Sequence, residues 1–489
     1  MVGYIILAVI AAALVITAIK AIFFVPKNKE VPVIEKEKVD TGRVQQNLSK
    51  AIQFKTVSRE NLDEVDWEEF KKYHKFIDEA YPLISKNTEK EEVSRASLIY
   101  KWKGKNPDLE PMALLSHQDV VPITPGTEND WKYDPFSGHN DGEYIWGRGA
   151  VDMKNHMICV LEAVETLMEE GFVPERDVYL CFGHNEEVVC SNDPGAQEIV
   201  RTLKNRGIHL DSVLDEGGAI LTADIKGIIN TYITCIGTAE KGYCDYKITV
   251  TDKGGHTSQA PAHNGLGKLA NVIKDLENHQ FKAKMLPFMD TFFNRVGRTA
   301  NYLGRFVLCN YKILKPLLKF IMTKIPVSAC LLRTVTAVSM CEGSPAANVL
   351  PQRASVTANF RPLYGESVAD VGEHIRKVVR YKDAEIECLR GKEPSRFSPT
   401  DSKAFKAIED ITNSMFSDKK VAVVPYLVMG GTDAYFYEEI CDNVLRFAPF
   451  RLSVDILKTT HATNERCPID VLEQGVSFFK TYIRKASEG

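Results

Sequence analysis

The chain has 489 residues, with 61 Lys and Arg against 65 Asp and Glu, which gives a formal net charge of -4 at pH 7. This mildly acidic balance argues against a nucleic-acid-binding protein, which needs a strongly basic surface. The length is sufficient for two domains, and the 11 scattered cysteines, an odd number without paired spacing, indicate reduced thiols rather than a disulfide framework.

The N-terminal segment GYIILAVIAAALVITAIKAIFFV is apolar enough to cross a hydrocarbon core of ~30 Å. A cleaved signal peptide needs a basic start and a small-residue cleavage site, and neither is present. We therefore expect residues 1–26 to form an uncleaved single-pass transmembrane anchor and residues 27–42 to form a charged linker. Lys20, Lys27 and Lys29 follow the apolar core, so the positive-inside rule favours a catalytic part on the cytoplasmic side of the membrane.

Four apolar stretches that read as strands each end near a side chain that can bind a metal. The side chains are His117 in PMALLSHQDVVP, Asp152 in WGRGAVDMKN, Glu187 in DVYLCFGHNEE and Asp215 in SVLDEGG, and His461 in KTTHATNER completes the set. Ligands collect at the carboxyl ends of the strands in open α/β sheets. Any one of these residues alone is more often a helix cap, a turn residue or a core histidine. All five in order predict a metal-centred cleft.

Two imidazoles and three carboxylates suit a divalent ion such as Zn²⁺, with Co²⁺ or Mn²⁺ as alternatives. The set is too large for one structural zinc and fits two ions, each held by one His and one carboxylate, with the third carboxylate bridging. Paired ions activate water and polarise a carbonyl group. Since neighbouring side chains near a strand end point in different directions, we assign Glu187 to the metal and Glu186 to the general base.

The middle of the chain predicts a separate α+β domain. Strand-like segments GTAEKGYCDYKITVTD, RTVTAVSMCEG, RASVTANFRP and AEIECLR alternate with the helical segments NGLGKLANVIKDLE and SVADVGEHIRKVVR. The resulting β-α-β-β-α-β order is that of a ferredoxin-like sandwich. The catalytic sheet then resumes near residue 395.

An insertion at about residues 285–332 interrupts this domain. It is apolar and basic, and it has no acidic residue after Asp290. The composition favours a helical hairpin packed on the lid or on a dimer partner over a basic amphipathic helix on an anionic lipid surface. Either arrangement could also form a hydrophobic tunnel for an acyl chain.

These stretches together resemble the M20 metallopeptidases, and within them the branch of carboxypeptidase S, aminoacylase-1 and PM20D1. The resemblance covers nearly the whole chain after residue 40 and rests on nine ordered motifs, which are SHQDVVP, GRGAVDMKN, HNEE, LDEGG, EKGYCDYKITV, GGHTSQAP, NVLPQRASVTANFRP, GGTDAYFY and HATNER. It implies an α/β fold with a mixed-sheet dizinc catalytic domain and an inserted ferredoxin-like lid that supports a homodimer. The segment VVCSNDP after Glu187 departs from the family's usual short turn. Relatives in this branch often work in secretory or vacuolar compartments, which leaves the membrane orientation open.

The family pattern also implies how the ligands divide between the two zinc ions. By resemblance, one ion is bound by His117 and Asp215, and the other by Glu187 and His461. Asp152 then bridges the two ions.

Five further residues take roles from the resemblance. Glu186 falls at the position of the family's general base, and Asp119 falls where the family orients the metal-bound histidine. Family members use the histidine at His256 to polarise the scissile carbonyl, often across a dimer. Arg361 could bind a substrate carboxylate, and Asn348 could hydrogen-bond the same end. On their own, the last three would be a turn histidine, a solvated strand-end charge and a turn asparagine.

The GGTDA motif adds three residues. By resemblance, Gly431 and Thr432 line the substrate pocket. Asp433 is either an acid behind the metal ligands or the N-cap of the following helix.

The sequence therefore predicts a zinc-dependent hydrolase that cleaves an amide bond next to a free carboxylate. The substrate is a small peptide, as for a carboxypeptidase S-like enzyme, or an N-acyl amino acid that is hydrolysed or synthesised. A catalytically silent, membrane-anchored binding module is the competing hypothesis, but no ligand or base is missing to favour it. The predicted parts are the anchor 1–26, the linker 27–42, a first catalytic part 43–236, the lid 237–392 and a second catalytic part 393–489.

Overall fold

The structure is a computed structural model that describes residues 1–26 and 33–488. The strands in chain order are β1 (Thr88–Val93), β2 (Ser97–Trp102), β3 (Met112–His117), β4 (His139–Asn140), β5 (Tyr144–Trp146), β6 (Val178–Gly183), β7 (Ser212–Asp215), β8 (Ala219–Ile225), β9 (Ile229–Glu240), β10 (Tyr243–Thr251), β11 (Gly255–His256), β12 (Val335–Glu342), β13 (Val349–Leu350), β14 (Arg353–Arg361), β15 (Glu385–Lys392), β16 (Val421–Val428), β17 (Val444–Arg446) and β18 (Arg466–Pro468).

The α-helices in chain order are α1 (Val2–Phe23), α2 (Thr41–Ile52), α3 (Trp67–Ala80), α4 (Pro82–Asn87), α5 (Lys154–Glu169), α6 (Gly195–Asn205), α7 (Gly265–Asn278), α8 (Phe288–Thr299), α9 (Tyr302–Leu308), α10 (Tyr311–Lys324), α11 (Pro326–Cys330), α12 (Val368–Val378), α13 (Lys403–Met415), α14 (Ala434–Tyr437), α15 (Val454–Leu457) and α16 (Asp470–Ala486).

A mixed nine-stranded sheet carries the part of the chain that the sequence predicts to be catalytic. Its order is β1-β2-β6-β3-β7-β17-β9-β16, with β8 paired to β9. Strand β3 runs parallel to both β6 and β7, and its six residues are all buried, as expected for a strand covered on both faces. Successive side chains alternate between the two cores, so Leu114 packs with α2, α5 and α16, while Leu115 packs with α6 and α14. The predicted α/β mixed-sheet architecture is confirmed.

The inserted domain has an antiparallel sheet in the order β12-β14-β10-β15, with α7 and α12 packed on it. In chain order, its elements are β10, α7, β12, β14, α12 and β15, which is the β-α-β-β-α-β order expected from the sequence. The apolar and basic insertion forms α8 to α11, between α7 and β12. Helix α8 packs on the edge strand of the large sheet, where Val296 contacts the cluster around Val424. Helix α8 therefore lies against the large sheet, and Leu286 and Leu331 of the insertion also pack with Leu363 of the lid, as the sequence favoured.

The predicted transmembrane anchor is wrong, and so is the single-pass membrane localisation that follows from it. Among the described residues, no helix combines the length and the apolarity that a membrane crossing needs. The apolar N-terminal segment does form α1, but the end of this helix packs on the protein. Ala21 and Phe24 are buried against Cys309, and the Lys20 ammonium donates to the Cys309 carbonyl at 2.7 Å.

The segment predicted as a charged linker is only partly described, because residues 27–32 lie outside the described residues. This gap includes Lys27 and Lys29, on which the predicted orientation depended. The following segment lies against the catalytic domain, where Glu37 pairs with Lys480 and Arg484 of α16.

Candidate metal centre

One cluster of potential metal ligands contains His117, Asp152 and Glu216. His117 ends β3 and is 1% exposed. Its Nε2 lies 3.3 Å from Asp152 Oδ1 and 3.3 Å from Glu216 Oε1. The three ligand atoms lie within 4.8 Å of one another, which is close enough for one ion to contact all three.

A second cluster contains Asp152, Glu187 and His461, and its ligand atoms also lie within 4.8 Å of one another. Nε2 of His461 lies 3.1 Å from Asp152 Oδ2 and 3.1 Å from Glu187 Oε2. Asp152 thus directs one oxygen to each histidine and belongs to both clusters, which is the geometry of a bridging carboxylate.

Asp215, which the sequence placed among the ligands, lies outside both clusters. Its Oδ1 accepts a hydrogen bond from the Glu216 backbone N–H at 2.9 Å, and its Oδ2 accepts one from the Ala434 N–H at 2.9 Å. The next side chain along the chain points the other way, as expected at a strand end, and brings Glu216 to the cluster instead. The sequence feature that could have indicated Glu216 is the adjacent acidic pair in LDEGG. As with Glu186 and Glu187, either of two neighbouring carboxylates could be the metal ligand.

The charges at the centre fit a site for divalent cations. Burial, with the nearby Asp152 carboxylate, raises the pKa of Glu216 to about 8, and burial also raises the pKa of Glu187. Hydrogen bonds to Asp152 and Glu187 raise the pKa of His461 to about 10. Two histidines cannot balance this concentration of buried carboxylates, so the donor set calls for added positive charge. Carboxylate and imidazole donors in two groups of three suit two divalent ions.

Glu186 faces the same centre but belongs to neither ligand cluster. Burial raises its pKa well above the usual range, and the Glu187 carboxylate adds to the effect. Glu186 lines a cavity of about 410 Å³, together with Gly431 and Thr432. A carboxylate beside the ligands, at the wall of a cavity, has the position that proton transfer to a bound substrate requires.

Asp119 contacts His117 and both residues of the Glu186–Glu187 pair. Its backbone carbonyl lies 2.9 Å from Nδ1 of His117, which leaves Nε2 of that histidine facing the ligand cluster. The fully buried carboxylate accepts the backbone N–H groups of Glu186 and Glu187, at 3.1 and 3.2 Å, and the hydroxyl of Ser58. One side chain therefore positions both members of the acidic pair.

Two residues with no assigned role in the sequence analysis support Asp152. Glu465 accepts the backbone N–H groups of Val151 and Asp152 at 2.9 and 3.2 Å, and its other oxygen pairs with Arg148 at 2.7 Å. Both Arg148 and Glu465 are buried. They stand in the motifs GRGAVDMKN and HATNER, but nothing in the sequence shows that the two charges meet.

The GGTDA loop is held by buried ionic groups. Glu240 accepts the backbone N–H and the hydroxyl of Thr432, at 3.2 and 2.9 Å, and pairs with Arg446 and Lys392. A side chain at Gly431 would approach the Lys392 ammonium. This network fixes the wall of the cavity that Glu186 lines.

Asp433 makes no side-chain capping hydrogen bond to α14, which contradicts the N-cap alternative. Its carboxylate is buried next to that of Asp215, and burial together with this neighbour raises the pKa of Asp433 well above its usual range. Gly183 provides the space for it, because a Cβ atom there would lie 2.0 Å from Asp433 Oδ2.

None of the three lid candidates belongs to either ligand cluster in the described structure. His256 and Asn348 share an exposed cleft lined by residues 255–256, 343–345 and 348–353. Arg361 lies at the end of β14, with its guanidinium 4.6 Å from the Tyr243 ring centroid.

Comparisons with known proteins identify the family. The family model of Peptidase family M20/M25/M40 matches residues 113–485. The probable carboxypeptidase S-like 2 of Dictyostelium discoideum is 33% identical, over 97% of this chain and 92% of that protein. The N-fatty-acyl-amino acid synthase/hydrolase PM20D1 of Xenopus tropicalis is 30% identical, over 90% of this chain and 85% of that protein.

Solved structures share the fold. The M20 family metallo-carboxypeptidase Sso-CP2 from Sulfolobus solfataricus superposes with a TM-score of 0.68 at 17% identity, over 91% of this chain and 99% of that chain. Human carnosine dipeptidase 1 gives a TM-score of 0.64 at 14% identity, over 91% of this chain and 96% of that chain.

The fold and the centre therefore define a metal-dependent hydrolase of amide bonds, in the metallopeptidase and amidohydrolase class. The chain belongs to peptidase family M20.

Proposed function

We propose that this enzyme uses two Zn²⁺ ions to cleave an amide bond next to a free carboxylate. The observation that supports this proposal most directly is the pair of ligand clusters that share Asp152, with Glu186 beside them at a cavity wall. One ion would be held by His117, Asp152 and Glu216, and the other by Asp152, Glu187 and His461. When bound, such ions polarise a carbonyl group and lower the pKa of water.

The chain's own residues then position the substrate and move the proton. Glu186 accepts a proton from the attacking water and delivers it to the departing nitrogen. Its raised pKa suits a group that must hold the proton between the two transfers. Asp119 keeps the backbone of Glu186 in place through its N–H hydrogen bond. Gly431 and Thr432 line the cavity that receives the substrate.

Recognition of the free carboxylate is assigned to the lid. Arg361 and Asn348 are the proposed partners of this group, because a guanidinium forms paired hydrogen bonds with a carboxylate and an amide can donate another. His256 would polarise the scissile carbonyl. Since His256 and Asn348 lie in an exposed cleft, we propose that a homodimer formed through the lid brings them to the partner's metal centre.

The substrate class is a small peptide or an N-acyl amino acid, since both present an amide next to a carboxylate. Relatives are named for each activity, as carboxypeptidase S of Saccharomyces cerevisiae and as N-fatty-acyl-amino acid synthase/hydrolase PM20D1. We propose the carboxypeptidase S-like peptidase activity first, because the relative with 33% identity is a carboxypeptidase S-like protein. Hydrolysis or synthesis of N-acyl amino acids is the second candidate.

The test is an assay of the full chain with added zinc against C-terminally free dipeptides and N-acyl amino acids. We expect cleavage that a chelator abolishes and that Glu186→Gln lowers by ~100-fold or more, because general acid–base catalysis contributes about 10²–10⁴-fold. Glu79→Gln, at an exposed carboxylate of α3, is the matched control. Near-normal turnover of Glu186→Gln with metal bound would refute the assignment of the base, and the preferred half of the panel decides between the two substrate classes.

A further inference from the structure

Helix α10 (Tyr311–Lys324) has an apolar face that is already buried. Tyr311 packs in a cluster with Met289 and Phe293 of α8, and Leu318 and Met322 lie against the same cluster. A helix that buries one face in this way normally presents polar side chains on the opposite face. In α10 the opposite face is also apolar.

The exposed apolar side chains of α10 are Ile313, Leu317, Phe320 and Ile321, which are 74%, 55%, 60% and 45% exposed. Their spacing of four, three and one residues places them on one stripe of the helix. In the turn and short helix that follow, Ile325 and Val327 are 51% and 67% exposed. We call these six residues the α10–α11 outer face. A continuous apolar surface of this kind marks an interaction site.

The charged side chains of α10 all have one sign. Lys312, Lys315, Lys319 and Lys324 are exposed, and the sequence contains no Asp or Glu between residues 291 and 341. Within the described part of the chain, none of these four lysines forms an ion pair. Lys312, Lys315 and Lys319 project from one flank of α10, next to its buried stripe, and Lys324 lies at the end of the exposed stripe.

We propose that the α10–α11 outer face adsorbs on an anionic lipid surface, with α10 parallel to that surface. Apolar side chains of an amphipathic helix enter the boundary between headgroups and acyl chains, while flanking lysines meet the anionic headgroups. This mode of binding needs no membrane-spanning helix.

The charge pattern decides between lipid and a second copy of the chain. Two copies joined through this face would place two lysine-rich helices side by side, with no carboxylate from the same segment to balance them, and like charges oppose such an association. The outer face of a single helix is also convex, which suits a fluid surface better than a partner that needs a groove.

The experiment measures sedimentation of the full chain with vesicles of phosphatidylcholine, with and without phosphatidylserine. The test variant combines Ile313→Ser, Leu317→Ser and Phe320→Ser and leaves α1 unchanged. We expect binding only to the anionic vesicles, weakened by salt and reduced about tenfold or more in this variant. A matched control replaces three exposed apolar residues elsewhere, in the set Val173→Ser, Leu389→Ser and Val454→Ser.

A second variant, with Lys312→Gln, Lys315→Gln and Lys319→Gln, changes only exposed charges and decides the matter if the serine variant does not fold. It is expected to lose binding to the anionic vesicles. Equal binding of wild type and variants, or equal binding to neutral vesicles, would overturn the proposal. Self-association without lipid that disappears in the serine variant would assign the face to a second copy. Peptidase activity in solution serves as the folding control.

Discussion

At the scale of single residues, Asp119 is the most constrained group of the centre. Its carboxylate accepts two backbone N–H groups from the acidic pair and one hydroxyl, so every contact requires an acceptor. Asp119→Asn places an NH₂ group against a donor. We expect kcat to fall about 10–100-fold with the metal retained, as for other groups that orient metal ligands. Steady-state kinetics with metal analysis checks this, and Asp108→Asn, at an exposed loop, should leave kcat unchanged.

Glu216 and Asp215 give opposite expectations for metal binding. Glu216→Gln removes a proposed ligand, so we expect loss of about one metal ion per chain, or an affinity at least ~100-fold lower. Asp215→Asn disturbs two backbone hydrogen bonds and should destabilise the fold more than it lowers metal content. Elemental analysis of dialysed protein separates the two variants. Full metal content in Glu216→Gln, with loss in Asp215→Asn, would return the ligand role to Asp215.

The sequence predicted some of this centre because ligands gather at strand ends. His117 and Asp215 do end β3 and β7, and Glu187 follows shortly after β6. Asp152 instead lies in the turn before α5, and His461 lies in a turn with φ +60°. Periodicity could not choose between two adjacent carboxylates, because the direction of a side chain just past a strand depends on the local turn.

At the scale of elements, α5 shows what burial does to an ionisable group. His156 is 1% exposed and packs against Phe479, and within the described structure neither ring nitrogen has a hydrogen-bond partner. Burial lowers its pKa to about 3. Because the folded-state pKa lies below the unfolded value of about 6.5, stability is complete above pH 6.5 and falls as the pH drops towards 3.

We expect His156 to cost the wild type about 2 kcal/mol of unfolding free energy between pH 7 and pH 5. His156→Leu, an apolar side chain of similar size, removes this titration and should be less sensitive to pH by the same amount. Urea unfolding of both proteins at the two pH values provides the measurement. Equal pH dependence in the two proteins would show that the ring is not held neutral.

The packing of α1 also explains why the prediction of an N-terminal transmembrane anchor was wrong. The apolar composition of the N-terminal segment suggested a membrane span, but composition does not reveal the tertiary contacts that a helix makes. The Cys309 carbonyl that accepts from Lys20 lies 289 residues away in the sequence. The helical nature of the insertion could be predicted from its composition, whereas the place of α8 on β16 depends on long-range packing, in which Val296 joins the cluster that contains Val424.

At the scale of the whole molecule, the two halves of the proposed active site lie on different domains. The metal centre belongs to the large sheet, while His256 and Asn348 lie in an exposed cleft of the lid. The ferredoxin-like order of the lid was predictable from alternating strand and helix patterns. The position of the lid cleft relative to a metal centre was not predictable, because periodic patterns report local structure and not how distant segments meet.

A lid-mediated homodimer gives a prediction that one chain alone cannot satisfy. Glu186→Gln and His256→Ala are each expected to be nearly inactive. If His256 serves the partner's centre, co-refolding equal amounts of the two variants restores about a quarter of wild-type activity, because half of the dimers are mixed and each mixed dimer contains one intact site. Activity assays with sedimentation analysis of the mixture provide the measurement. Dimers without restored activity would place His256 at the centre of its own chain, and a monomeric protein would refute the assembly.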